Sequence, residues 1–270
     1  MSLTWRGEPD PALARPGMAG MVRALLRGGP LLLILSLGLG LALLLRPAER
    51  SLGHARRPVT PWITVLVCRA SLRPLGVRLR VEGRPMTGRG ALVANHSSWL
   101  DILALNAQAP MIFVAKSEVA GWPGLGLLAR ATGTLFIRRE SRREVAEQAR
   151  AVAERLSVGE TLLLFPEGTS TDGRRVLPFR PALFAGLLAQ APSANVRVQP
   201  VTLSWLAPEG QDPRFYAWWG DMAFGTHALA VLAARRQGEV RITFHAPIEV
   251  DGRDRKSLAA ECEAAVRSAL

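Results

Sequence analysis

The stretch best suited to chemistry is Asn95-His96-Ser97-Ser98-Trp99-Leu100-Asp101. An imidazole takes up a proton near neutral pH, and a carboxylate within reach fixes its tautomer and stabilises the imidazolium. His96 and Asp101 together therefore suit a general base acting on a hydroxyl. A structural histidine beside a helix-capping aspartate is the plainer alternative, and the pair alone does not decide between the two. Gly90-Ala91-Leu92-Val93-Ala94 runs into this stretch as a buried strand. Ile102, Leu103 and Leu105 follow as the apolar side of a short helix. His96 is thus expected where a strand ends, and Asp101 in or near the first turn of a helix.

Three further stretches carry candidate groups. Phe165-Pro166-Glu167-Gly168-Thr169-Ser170 closes an apolar run. It presents Glu167 at the carboxyl end of a strand, the usual place for a site in an α/β sheet, although P-E-G also marks ordinary loops. Gly133-Thr134-Leu135-Phe136-Ile137-Arg138-Arg139 ends another strand with two guanidiniums. These suit phosphate or carboxylate, or simply a solvated strand end. Val198-Gln199-Pro200-Val201-Thr202 is a strand with a proline in mid-run, which predicts an edge or a bulge.

The elements that must position these groups are legible in outline. From Val77 onward strand-like and helical stretches alternate, the pattern of an α/β fold; a mixed, largely parallel sheet flanked by helices is expected. Strands are predicted at 77–82, 91–94, 111–115, 135–137, 161–165, 197–204 and 239–245. Ser141–Leu156 reads as a helix, with Ser141 and Glu144 as a capping box. Asp254 can cap a last helix carrying Leu258, Cys262 and Val266. Residues 1–17, rich in Pro, Gly and Arg, are expected to be disordered. Leu31–Leu45 carries no charge but is shorter than the roughly 20 residues a transmembrane helix needs. It reads as a membrane anchor that either spans or lies in the bilayer, with a secretory signal as the competing reading. Trp62–Val77 sets apolar positions against Arg69, Arg73 and Arg78, as an interfacial helix or a core-packed one would. Residues 1–57 are therefore expected as a disordered and membrane-anchoring region, and 58–270 as the domain proper, opening with the interfacial helix.

The formal net charge is +12, and Lys116 and Lys256 are the only lysines. This points to an anionic partner: a bilayer, or a phosphorylated or thioester substrate. No nucleic-acid-binding fingerprint occurs, so no nucleic-acid partner is expected. Cys68 and Cys262, with His54, His227 and His245 scattered singly, make no metal-ligand spacing, and no metal is expected.

Taken together and in this order, the four stretches resemble the glycerolipid acyltransferases of the lysophosphatidate (PlsC-like) type. Asn95, His96 and Asp101 match that family's N-H-x-x-x-x-D. Gly133, Phe136, Ile137 and Arg139 match its G-x-x-F-I-x-R, Phe165 to Thr169 its F-P-E-G-T, and Val198 to Val201 its apolar strand around a proline. The resemblance implies that His96, oriented by Asp101, deprotonates the hydroxyl of a lysolipid. That oxygen attacks the thioester of acyl-CoA or acyl carrier protein, which is a co-substrate rather than a bound cofactor. Arg139, Glu167, Gly168 and Thr169 are implied to bind the acceptor, with an N–H near Gly168 available for the oxyanion. No G-x-S-x-G nucleophile elbow occurs, in keeping with direct transfer. Ser170 stands where many lysophosphatidate enzymes have arginine. With Ser170–Phe179 and Tyr216–Met222, it resembles the branch of lyso-ornithine lipid O-acyltransferases, whose acceptor is zwitterionic; Arg174 or Arg175 could supply the missing cation instead. The inner membrane, with the active site facing the cytoplasm, is the implied location. The competing classes are a non-catalytic lipid-binding protein of the same fold and a lipid hydrolase.

Overall fold

The computed structural model describes residues 4–51, 57–122, 124–137, 142–189 and 195–270. Two apolar helices come first. α1 (Met18–Ser51) extends well beyond the uncharged run, with Pro30 and Pro47 inside it. α2 (Thr60–Leu75) has a proline in its first turn and stops at Gly76, whose φ of 73° lets its N–H return to the Leu72 and Arg73 carbonyls. Then follow β1 (Arg78–Glu82), β2 (Gly90–Ala94), α3 (Leu100–Asn106), β3 (Ile112–Lys116), α4 (Leu125–Thr132), β4 (Leu135–Ile137), α5 (Arg142–Ser157) and β5 (Thr161–Leu164). The chain continues with α6 (Ala185–Leu188), β6 (Arg197–Leu206), α7 (Phe224–Ala233), β7 (Glu239–Phe244), β8 (Ile248–Glu249) and α8 (Arg255–Arg267). Asp254 caps α8 by accepting the Lys256 and Ser257 N–H groups. The side chains of the Ser141–Glu144 capping box lie outside what is described.

Among the described residues the strands form one sheet in the order β1-β7-β6-β2-β5-β3-β4, with β8 beside β6. β2 is flanked in parallel by β5 and β6, and β3 and β4 continue the parallel part. β7 turns antiparallel to β6, and β1 follows β7. This is the mixed, largely parallel sheet expected. Side chains of β2 alternate between two cores. Leu92 and Ala94 meet α2, α3 and α7, whereas Ala91 and Val93 meet α5 and α8.

Pro200 corrects one expectation, because β6 is neither an edge nor bulged. On one side β6 pairs with β2; on the other it pairs first with β8, up to Val198, and then with β7, from Val201. The Pro200 carbonyl accepts the His245 N–H. Its missing N–H therefore falls on that same side, where one neighbour gives way to the next and no ladder bond is lost.

α1 lies along the body rather than apart from it. Ala24, Leu31 and Ala42 form its buried stripe, while Leu25, Leu26, Leu32, Leu33, Leu37 and Leu44 are exposed. Its arginines close other helices: Arg23 and Arg27 donate to carbonyls of residues 232–234 at the end of α7, and Arg46 to those of Arg130 and Ala131 in α4. Glu49 accepts the Val59 and Thr60 N–H groups and so caps α2.

The composition of residues 1–17 predicts disorder; residues 4–17 are instead laid over the loops that follow β5 and β6. Trp5 N–H donates to Thr169 Oγ1 at 3.1 Å, and Arg6 pairs with Asp221. Glu8 pairs with Arg175, and Leu13 packs against the core. The partners of Trp5, Arg6 and Glu8 each lie more than 150 residues away in sequence, so local composition could not reveal those contacts.

Candidate active site

At the end of β2 the ladder is extended by a side chain. Asn95 Nδ2 donates to the Leu203 carbonyl at 2.9 Å, and its Oδ1 accepts the Leu203 N–H at 2.8 Å. Asn95 thus pairs with β6 as a backbone unit would, and the chain is held at the point where it leaves the sheet.

Asp101, in the first turn of α3, is fully buried. Its Oδ2 accepts from the Ser97 and Ser98 N–H groups, both at 2.9 Å, and lies 2.8 Å from His96 Nδ1. Its Oδ1 accepts from Trp205 Nε1 at 2.7 Å. With both oxygens committed to donors, Asp101 accepts the His96 Nδ1–H, and the free lone pair sits on Nε2. The ring stacks on Phe165, with centroids 4.1 Å apart and planes 17° apart, and the His96 side chain remains 22% exposed. Sequence reasoning missed Trp205 and the stacking role of Phe165. The one available signal was that a tryptophan in an alternating strand needs a partner for its indole N–H when covered.

The loop carrying His96 is clamped from several sides. The His96 carbonyl accepts the Thr171 N–H, and the Ser97 carbonyl accepts the Trp218 N–H. From below, Glu167 accepts the His96 N–H at 2.8 Å and the Leu177 N–H at 2.7 Å. Glu167 is 2% exposed, so its carboxylate faces these loops and not an acceptor head group. Burial outweighs those N–H bonds and pushes its carboxyl up to about 8. On the far side, Trp99 Nε1 donates to His227 Nδ1, and His227 Nε2 lies 3.2 Å from the Phe215 carbonyl. Burial pushes His227 down to about 4, so a neutral ring ties the loop to α7.

An N–H near Gly168 is expected to serve the oxyanion; the N–H of Gly168 itself is used in the turn and bonds to the Phe165 carbonyl. Gly168 has φ 73°, and the Arg180 side chain lies across it. Thr169 Oγ1 accepts from Trp5. Arg139 lies outside the described residues. Arg175 is committed to Asp172 Oδ2 at 2.9 Å and Glu8 Oε1 at 3.0 Å, and sits over the Trp5 ring. A groove of about 730 Å³ opens beside Trp205, with Arg174 and Arg267 in its wall. An opening of about 580 Å³ at Gly88, Arg89 and Arg197 lies at the amino ends of β2 and β6, away from His96. Among the described residues no group of His, Cys, Asp and Glu is arranged to hold a metal ion.

The family described as Acyltransferase matches residues 78–204. A lyso-ornithine lipid O-acyltransferase of Rhodobacter capsulatus is 51% identical over 267 residues, covering 98% of this chain and 96% of that protein. One from Pseudomonas aeruginosa is 40% identical over 256 residues, covering 92% and 94%. A 1-acyl-sn-glycerol-3-phosphate acyltransferase of Neisseria gonorrhoeae is 40% identical over 146 residues, or 53% and 55% of the two chains. The crystal structure of the acyltransferase PlsC from Thermotoga maritima matches with a TM-score of 0.64 at 22% identity, covering 93% and 94% of the two chains, a likeness of fold. By near full-length similarity to its relatives, the chain is an acyltransferase of the PlsC-like glycerolipid family, in the branch that resembles lyso-ornithine lipid O-acyltransferases.

Proposed function

We propose that the protein transfers an acyl group from acyl carrier protein or acyl-CoA to the free hydroxyl of lyso-ornithine lipid, with lysophosphatidate as the lesser acceptor, at the cytoplasmic face of the inner membrane. The observation that carries the chemistry is the His96–Asp101 pair. Its Nδ1 is held by a buried carboxylate, and its ring is partly exposed. In this reading Nε2 takes the hydroxyl proton as the oxygen attacks the thioester carbon. The tetrahedral intermediate then expels the thiolate, and the proton passes from Nε2 to that sulfur. Glu167 and Trp205 act as positioning residues, one beneath the His96 backbone and the other on Asp101. Similarity to lyso-ornithine lipid enzymes over nearly the whole chain supports the acceptor. The groove beside Trp205 carries Arg174 and Arg267, with Glu209, in its lining, and is the place this reading gives to the acyl donor.

A labelled acyl donor offered with each acceptor in matched detergent tests the reading. Transfer should occur with lyso-ornithine lipid. His96→Ala should lower it by about 10²–10⁴-fold, and Asp101→Asn should also be severe, with the fold retained in both. Near wild-type turnover in His96→Ala would remove the general base, and absence of product with either acceptor would remove the acceptor assignment.

A further inference from the structure

The acceptor head group needs a cation, and the family's arginine position after F-P-E-G-T is Ser170 here. The loop that follows carries Arg174, Arg175 and Arg180. Arg175 is spoken for: Asp172, 1% exposed, takes it from one side and Glu8 from the other, with Trp5 beneath. Held between these two carboxylates, the Arg175 guanidinium is already paired and is not available to an anion. Arg174 lines the groove beside Trp205. Arg180 differs from both. Its backbone N–H is tied to the Pro166 carbonyl, and its side chain folds back over Gly168. A Cβ at residue 168 would come within 3.1 Å of Arg180 Nε and Cζ, so the guanidinium occupies the space the missing side chain leaves. Among the described residues no carboxylate or carbonyl pairs with this guanidinium. Arg180 is partly exposed, and the turn it covers is the one whose Phe165 stacks on His96 and whose Glu167 holds the His96 N–H.

We propose that Arg180 binds the anionic group of the acceptor head, the carboxylate of an amino-acid lipid or the phosphate of a lysophospholipid. This rests on the lysolipid acceptor proposed above. A planar fork of N–H donors, held over glycine and without an internal partner, is preorganised for a carboxylate or phosphate. The apolar helices α1 and α2 pack with α3 and α7 on one face of the sheet. Arg180 leads instead into the segment that packs on α8. Acyl chains on the first side would leave the head group reaching over the strand ends toward Arg180.

The test compares lyso-ornithine lipid, its carboxyl methyl ester and lysophosphatidate, at matched acyl chains and detergent. Wild type should prefer the free acid over the ester. Arg180→Ala should raise KM for both anionic acceptors by about ten-fold or more, leave kcat less affected, and erase the preference over the ester. Arg180→Lys should restore part of that preference, because it keeps the charge and loses the fork. If Arg180→Ala lowered use of acid and ester in equal proportion, Arg180 would be a brace for the Gly168 turn and the proposal would fail. It would also fail if the acid-to-ester ratio stayed at the wild-type value. Failure of wild type to use any of the three acceptors would overturn the proposed function and this inference together, a result separable from either of the other two.

Discussion

Asp101 shows how little freedom the site leaves its residues. Four donors converge on one buried carboxylate, two from the backbone of its own loop, one from His96 and one from Trp205 in β6. Trp205 is the donor to Oδ1, and losing it would leave that buried oxygen without a partner, a cost of about 1–3 kcal/mol. The loop is therefore specified by the same atoms that fix the imidazole. Glu167 carries a measurable signature of its burial. Its carboxyl rises from an ordinary 4.5 to about 8 in the folded protein. A raised folded value means that the native state holds a proton the unfolded chain releases. This contribution to stability is complete below about 4.5 and is lost as pH climbs through about 8. Glu167→Gln does not titrate there, and its amide presents a donor where Glu167 accepts an N–H. The variant should thus melt below wild type at the acid end, with the gap narrowing toward pH 8. Parallel melting curves across that range would show that Glu167 does not titrate as stated.

At the scale of elements, close packing of α1 on α2 decides whether the apolar N-terminal region belongs to the catalytic body. A Cβ at Gly38 would overlap the Val67 side chain, so α1 approaches α2 there because residue 38 has none. Gly38→Leu should part the two helices and cost about 1–3 kcal/mol, read as a lower melting temperature in detergent. Adding Val67→Ala should recover part of the loss. No recovery would mean that the contact at Gly38 is not what the substitution disturbs. Strands β2 to β5 were legible because each is a short apolar run with glycine, proline or charge at or near its ends, and α8 because Asp254 announces it. The His96–Asp101 pair and the F-P-E-G-T turn could be placed at strand ends because turn residues are local signals, but only their order with the other two stretches marked them as a candidate site. Other features left no such trace. α7 is apolar nearly all round, and its partners are an arginine pair some 200 positions upstream in α1. Trp205 looks like any strand tryptophan until Asp101 lies beside it. Glu167 looks like a ligand in a loop until its exposure is known.

On the scale of the whole molecule, large apolar side chains stand exposed on several helices. Along α1 the leucines opposite the buried stripe are exposed. Trp62 and Leu66 on α2, Leu127 on α4 and Phe224 on α7 are exposed as well. α1 is the one helix among the described residues long and apolar enough to cross a membrane. Yet it is packed to the body from Arg23 to Arg46, which favours lying in the interface with the body over standing clear of it. Replacing Leu25, Leu33, Leu37 and Leu44 with serine should weaken sedimentation with anionic vesicles. Raising the salt should weaken it only in part, since apolar burial is not screened. Binding that survived the four serines and vanished in salt would make the attachment purely electrostatic. The arginine clasps of α1 carry a consequence for synthesis. Arg27 grips carbonyls 205 and 207 positions later in the chain, and Trp5 reaches a partner 164 positions on. On the ribosome, at about 5–20 residues per second, the greasy first helix emerges many seconds before the helix it will clasp exists. Early in that interval α2 is the one helix among α1's final packing partners already made, the rest of the apolar surface of α1 needs a bilayer or a chaperone, and the residue 4–17 strap can latch only after the loops that follow β5 and β6 are in place.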